Sequence, residues 1–332
     1  MLRFALIGAG RIGRLHADNV NANPAARLVS VYDINPAAAT EVASKHGAKV
    51  ALTVDAALGD PEVDAVLIAS STDTHVDLIT RAAKAGKAVL CEKPIDLSIE
   101  RVERCRQEIA DCRVPVQIGF NRRWDPSHRA VAEAVHKGEI GALEQVIITS
   151  RDPGMPPVNY LKGSGGIFRD MMIHDFDLAR YVLGEEPVEV TASGSGLVDP
   201  EIVTIGDIDS AMVIMKTASG KLCHINNSRR AIYGYDQRVE AFGSGGMVIS
   251  NNRTATTVER FHLTATHVRE PLLNFFIDRY SEAYRHQINA FIDAVNAGRQ
   301  PTPGFEDGRR ALLLADAALA SLNTGRTVKV GG

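Results

Sequence analysis

The sequence has only four cysteines in 332 residues, Cys91, Cys105, Cys112 and Cys223, and none forms a CxxC pair. That argues against a thiolate metal site and a disulfide scaffold, and a reduced, cytoplasmic setting is the simplest reading. An excess of one sign of charge is lacking as well: 37 Lys and Arg against 40 Asp and Glu give a formal net charge of −3, which leaves no basic footprint for nucleic acid. Long hydrophobic runs are missing too. Apolar stretches are broken every few residues, so no segment reads as a membrane span, and the amino terminus enters a core strand instead of a signal peptide. There is no internal repeat or low-complexity tract. What remains is a chain long enough for about two domains, with a hydrophobic fraction of 45% that supports a sizeable core.

The first segment with chemical content is RFALIGAGRIGRLHADNV, in which a short apolar strand, Phe4 to Ile7, runs into a glycine-rich turn and an amphipathic helix. This is the dinucleotide fingerprint in its required strand–turn–helix context. Gly8 serves the tight turn, Gly10 lets the backbone approach a pyrophosphate, and Gly13 lets the helix pack on the strand. Gly8, Gly10, Arg11, Ile12 and Gly13 are therefore candidate cofactor contacts. A second strand, RLVSVYD, ends in Asp33, twenty residues after Gly13, where a carboxylate accepts both adenosine ribose hydroxyls. Asp33 could instead cap the helix beginning near Pro36. Its charge opposes a 2′-phosphate and no cation follows in Ile34, Asn35 and Pro36, so NAD is expected over NADP.

Apolar strands at Phe4–Ile7, Leu28–Tyr32, Ala65–Ala69, Ala88–Cys91 and Val116–Phe120 alternate with helical patterns. That rhythm predicts a doubly wound parallel sheet, an α/β Rossmann domain over residues 1–120. Ligands bind beyond the strand C-termini of such sheets, so SSTDTH, EKP and NRRW are expected to line one crevice. Beyond residue 120 the runs VEVTASG, SAMVIMKT, KLCHINNS and QRVEAFG alternate with a period of two, predicting a large, open, mostly antiparallel sheet in an α+β domain over 121–332. Amphipathic segments at 275–297 and 305–322 close the chain.

GIFRDMMIHDFDLARYVLG, from Gly166 to Gly184, predicts one helix with an apolar stripe of Met172, Ile173, Phe176, Ala179 and Leu183. Asp170, His174 and Asp177 lie along its edge: an acid, a potential base and another acid. On a surface helix the same row would simply face water. In EKP, Lys93 follows a strand end, where an ammonium stabilises an oxygen that is losing its proton; Pro94 stiffens the turn, and a cis bond is compatible with it. His16, His75 and His224 have no ligand-spaced partner, and no metal is expected.

These motifs together resemble the glucose-fructose oxidoreductase and inositol dehydrogenase family over essentially the whole chain. EKPID, GFNRRWDP, SRDPGMPPVNY, GGIFRDMMIHDFD and NSRRAIYGYDQR are most similar to its myo-inositol-oxidising members. The resemblance implies NAD-dependent oxidation of myo-inositol to 2-keto-myo-inositol, with catalytic residues at Lys93, Asp170 and His174. It also implies cofactor contacts at Ser71, Thr72, His75, Glu92, Lys93 and Asn121, and a homotetramer joined through the second sheet. Substrate candidates are Lys93, Asp152, Asn159, Tyr160, Asp170, His174 and Tyr235, because a polyol needs donors and acceptors around its ring. Arg122, Arg123 and Trp124 either touch ligand or hold the domain junction. Another inositol isomer or a pyranose would suit the same machinery, and a sensor that binds NAD without turnover is the alternative from a different class.

Overall fold

The computed structural model describes residues 1–331. The chain divides into two compact units: Met1–Asn121 with Ala283–Leu312, and Arg122–Glu282 with the residues from Leu313 on.

The first unit is built on six strands: β1 (Leu2–Ile7), β2 (Ala26–Tyr32), β3 (Lys49–Val50), β4 (Ala65–Ile68), β5 (Ala88–Cys91) and β6 (Val116–Ile118). Their spatial order is β3-β2-β1-β4-β5-β6 and every pairing is parallel. A parallel sheet is covered on both faces, which is why β4 and β5 read as unbroken apolar tetrads and are buried throughout. The order reverses between β1 and β4, the switch point at which doubly wound sheets bind ligands. Only the two-residue β3 was not anticipated; it is short, exposed and lacks an apolar signal.

A single cut after residue 120 misses the return of Ala283–Leu312 to this unit. Ile288, Phe291 and Ile292 join the core of Leu2, Phe4 and Leu28, with the Phe4 and Phe291 rings 5.8 Å apart. A period of 3.6 reveals a buried stripe but not the partner that covers it.

The second unit carries β7 (Leu143–Arg151), β8 (Pro187–Ser195), β9 (Ser210–Thr217), β10 (Leu222–Ser228), β11 (Asp236–Gly243), β12 (Gly246–Ser250), a small hairpin of β13 (Glu259–Arg260) and β14 (Val268–Arg269), and β15 (Val328–Lys329). The main sheet runs β12-β11-β7-β10-β9-β8-β15 and is antiparallel except for the parallel pair β7–β10. Along β9, Ala211, Val213, Met215 and Thr217 point inward, while Met212 and Ile214 are exposed on the other face. Helices Pro126–His136 and Ile173–Leu183 cover the inward side, packing on β7, β11 and β12.

The single helix expected from Gly166 to Gly184 is in fact two, Gly166–Asp170 and Ile173–Leu183. At the join, the Met171 and Met172 amides both donate to the Ile167 carbonyl, at 3.0 and 2.8 Å, so one turn is widened before the second helix restarts. The apolar stripe is buried as its pattern required, but Asp170 and His174 stand on opposite sides of the break.

Candidate active site

In the first unit, three glycines shape the turn after β1. Gly8 has φ +98°, and a Cβ there would fall 2.5 Å from the Ala69 carbonyl. A Cβ on Gly13 would fall 1.9 Å from the Gly8 oxygen, whereas one on Gly10 would meet nothing within 4 Å. Two glycines thus serve packing, and the third keeps one side of the loop open. The twelve-residue helix Arg11–Ala22 starts there, with Arg11 exposed and Ile12 partly covered, and its first amides favour an anion.

Asp33 completes this arrangement. Its Oδ2 accepts the Ala9 amide at 2.6 Å and its Oδ1 the Asn35 amide at 2.7 Å. The helix Pro36–His46 is capped by Asn35, whose side chain accepts from Ala37, so capping is not the work of Asp33. An open loop backed by helix amides, with a carboxylate at the neighbouring strand end, fits the pyrophosphate and ribose of NAD.

The loop after β4 carries exposed Ser71 and partly covered Thr72, which begins a short 3-10 turn. His75 was expected as a cofactor contact. It is buried, with its ring nitrogens 2.7 Å from the Pro94 carbonyl and 3.1 Å from the Ser70 carbonyl. Burial pushes its pKa down, the two carbonyls opposing only in part. Its ring bridges the loop after β4 and the EKP turn. Lys93 and Glu92 are partly covered, and the Lys93–Pro94 peptide is cis. Glu92 Oε1 lies 2.6 Å from Nε2 of the buried His16, and Asn121 is also buried.

In the second unit, Asp170 is gripped from two sides. Tyr160 donates its hydroxyl to Oδ1 at 2.8 Å, and Arg229 donates from Nη2 to Oδ2 at 3.2 Å. Burial, and next the Asp170 charge, raise the Tyr160 phenol well above its ordinary range. His174 is partly covered in the first turn of the following helix. The Asp152 carboxyl is pushed up to about 6 by burial, against the pull of Arg229 and Arg122 and with the help of Asp170 and Asp175. Asn159 is exposed. Tyr235 is 7% exposed and lies edge-on to Tyr280 with ring centroids 6.0 Å apart.

The two arginines of NRRW are braces. Arg122 forms a buried ion pair with Asp175, whose other oxygen accepts from Asn227 at 3.0 Å. Arg123 binds both oxygens of Asp177, at 2.8 and 2.6 Å. They pin the start of the second unit to helix Ile173–Leu183. Arg229, Asp175 and Asn227 were missed by sequence reasoning, although a signal exists: Cys223, Ile225, Asn227 and Arg229 continue the inward period of β10, which makes the last two polar residues at core positions. No cluster among the described residues could hold a metal ion.

A Rossmann unit of this kind, joined to a second sheet-bearing unit, defines an NAD-binding oxidoreductase. Residues 2–120 match the model described as "Oxidoreductase family, NAD-binding Rossmann fold", and 128–249 match the GFO/IDH/MocA C-terminal domain. The chain belongs to the Gfo/Idh/MocA oxidoreductase family. It is 51% identical to inositol 2-dehydrogenase of Rhizobium meliloti (strain 1021), over 99% of both chains. A crystal structure of a myo-inositol dehydrogenase from Corynebacterium glutamicum superposes with a TM-score of 0.96 at 46% identity, covering 100% of this chain and 99% of that one. The scyllo-inositol dehydrogenase of Lactobacillus casei, solved with NAD(H) and scyllo-inositol, gives 0.91 at 28% identity over 100% of both.

Proposed function

We propose that this protein oxidises myo-inositol to 2-keto-myo-inositol with NAD. The observation that carries the reading is the polar set of Asp170 with Tyr160 and Arg229 on a unit matching the GFO/IDH/MocA C-terminal domain, in a chain whose other unit carries a nucleotide loop that fits NAD. Bound NAD supplies the acceptor for the hydride leaving the carbinol carbon. His174 takes the hydroxyl proton on an imidazole nitrogen, histidine being the side chain most often used as a general base. Lys93 donates to the same oxygen as it acquires alkoxide character. Asp170 and Asp152 accept from other ring hydroxyls, and Tyr160 and Asn159 border them. The decisive assay is NADH formation with myo-inositol as the sole reductant.

The exposed Met212 and Ile214 on β9, Leu222 on β10, and Phe242, Met247 and Ile249 on β11 and β12 support assembly through this sheet into a homotetramer. Light scattering tests that directly. No helix among the described residues is long and apolar enough to cross a membrane, and the free cysteines suit a reducing, cytoplasmic setting.

A further inference from the structure

We propose that Arg229 is a positioning residue for the reaction: its buried guanidinium holds the Asp170 carboxylate in the orientation that meets a polyol hydroxyl. The inference rests on the role given to Asp170 above. Asp170 is the last residue of a five-residue helix, immediately before the widened turn, so a continuous helix does not hold its side chain in place. Among the partners of its carboxylate, Tyr160 is 54% exposed and sits on the four-residue helix Val158–Leu161, a weak anchor. Arg229 is 1% exposed, and its backbone amide donates to the carbonyl of the fully buried Asp209 at 2.8 Å. Arg229 is the more firmly fixed of these two.

Burying a guanidinium is costly unless its donors are filled. Yet Arg229 Nε has no protein partner among the described residues, while Nη2 is committed to Asp170. The donor that is filled is the one directed at the carboxylate. The arrangement makes sense if orientation of the carboxylate is what matters, and a planar, directional cation suits that better than the point charge of lysine. The same guanidinium also acts on Asp152, so one cation serves both candidate hydroxyl acceptors.

The test compares wild type, Arg229→Met, Arg229→Lys and Asp170→Asn, with Arg229→Met also placed in the Asp170→Asn background. NAD binding, steady-state NADH formation with myo-inositol, and melting temperature are measured for each. Arg229→Met should lose about 100-fold in kcat/KM with unchanged NAD affinity, the penalty of a misplaced reacting group. Arg229→Lys should recover about tenfold of that, and Arg229→Met should cost less than about threefold once Asp170 is asparagine. A lowered melting temperature with unchanged kcat and KM would reduce Arg229 to a structural residue and overturn the inference. Equal losses in both backgrounds would also overturn it. If wild type turns over no polyol, the substrate reading fails separately; the melting temperatures of the four-protein cycle then decide, with additive shifts refuting the Arg229–Asp170 linkage and a non-additive term sustaining it.

Discussion

Asp33 Oδ2 accepts the backbone amide of Ala9 at 2.6 Å, so the carboxylate at the end of β2 is fixed against the glycine-rich loop. A charge held there accepts ribose hydroxyls and repels a 2′-phosphate. Asp33→Ser combined with Ile34→Arg should therefore raise the NADP/NAD ratio of kcat/KM. An unchanged ratio would place cofactor selection elsewhere.

Gly10 and Gly13 should separate folding from nucleotide binding. Because a Cβ on Gly13 would overlap the Gly8 oxygen at 1.9 Å, Gly13→Ala should lower the melting temperature and damage NAD binding together. At Gly10 the space is open, so Gly10→Ala should melt near wild type while binding NAD more weakly. Calorimetry and thermal unfolding on the two variants check the split.

Most of the first sheet was legible because parallel strands must be apolar on both faces, and the loop glycines followed from the turn they serve. The break at Met171 and Met172 was not legible: both residues favour helix and fit the apolar stripe, and only the hydrogen bonds to Ile167 reveal the widened turn. The return of Phe291 to Phe4 and the grip of Arg229 on Asp170 are long-range contacts that local pattern does not encode. His75 shows the converse. Its place in the loop after β4 was predicted, but its ring turns inward to two carbonyls.

The buried pair of Arg122 and Asp175 should be unforgiving. Their side chains are 5% and 0% exposed, so removing either leaves an uncompensated buried charge. Asp175→Ala should cost about 3–5 kcal/mol of stability, measurable by denaturant unfolding. A cost below about 1 kcal/mol, the range of an exposed pair, would contradict the bracing role.

Asp152 should leave a signature in pH dependence. Folding raises its carboxyl from an ordinary 3.8 to about 6, so between those values the folded state holds a proton that the unfolded chain has released. Its contribution to stability is complete below about pH 4 and is lost as pH rises through about 6. Asp152→Asn should therefore gain melting temperature relative to wild type across that window. At pH 7, where wild-type Asp152 is mainly ionised, the variant should raise KM for myo-inositol. A pH-independent difference in melting temperature would contradict the assignment.

The central claim is tested most directly by initial NADH formation from saturating NAD and myo-inositol, with His174→Ala measured alongside. The account predicts turnover by wild type and a loss of about 100-fold or more in the variant, which should still bind NAD with unchanged affinity. Near-normal turnover by His174→Ala would remove His174 as the base. Failure of NAD-bound wild type to form NADH would contradict myo-inositol oxidation itself.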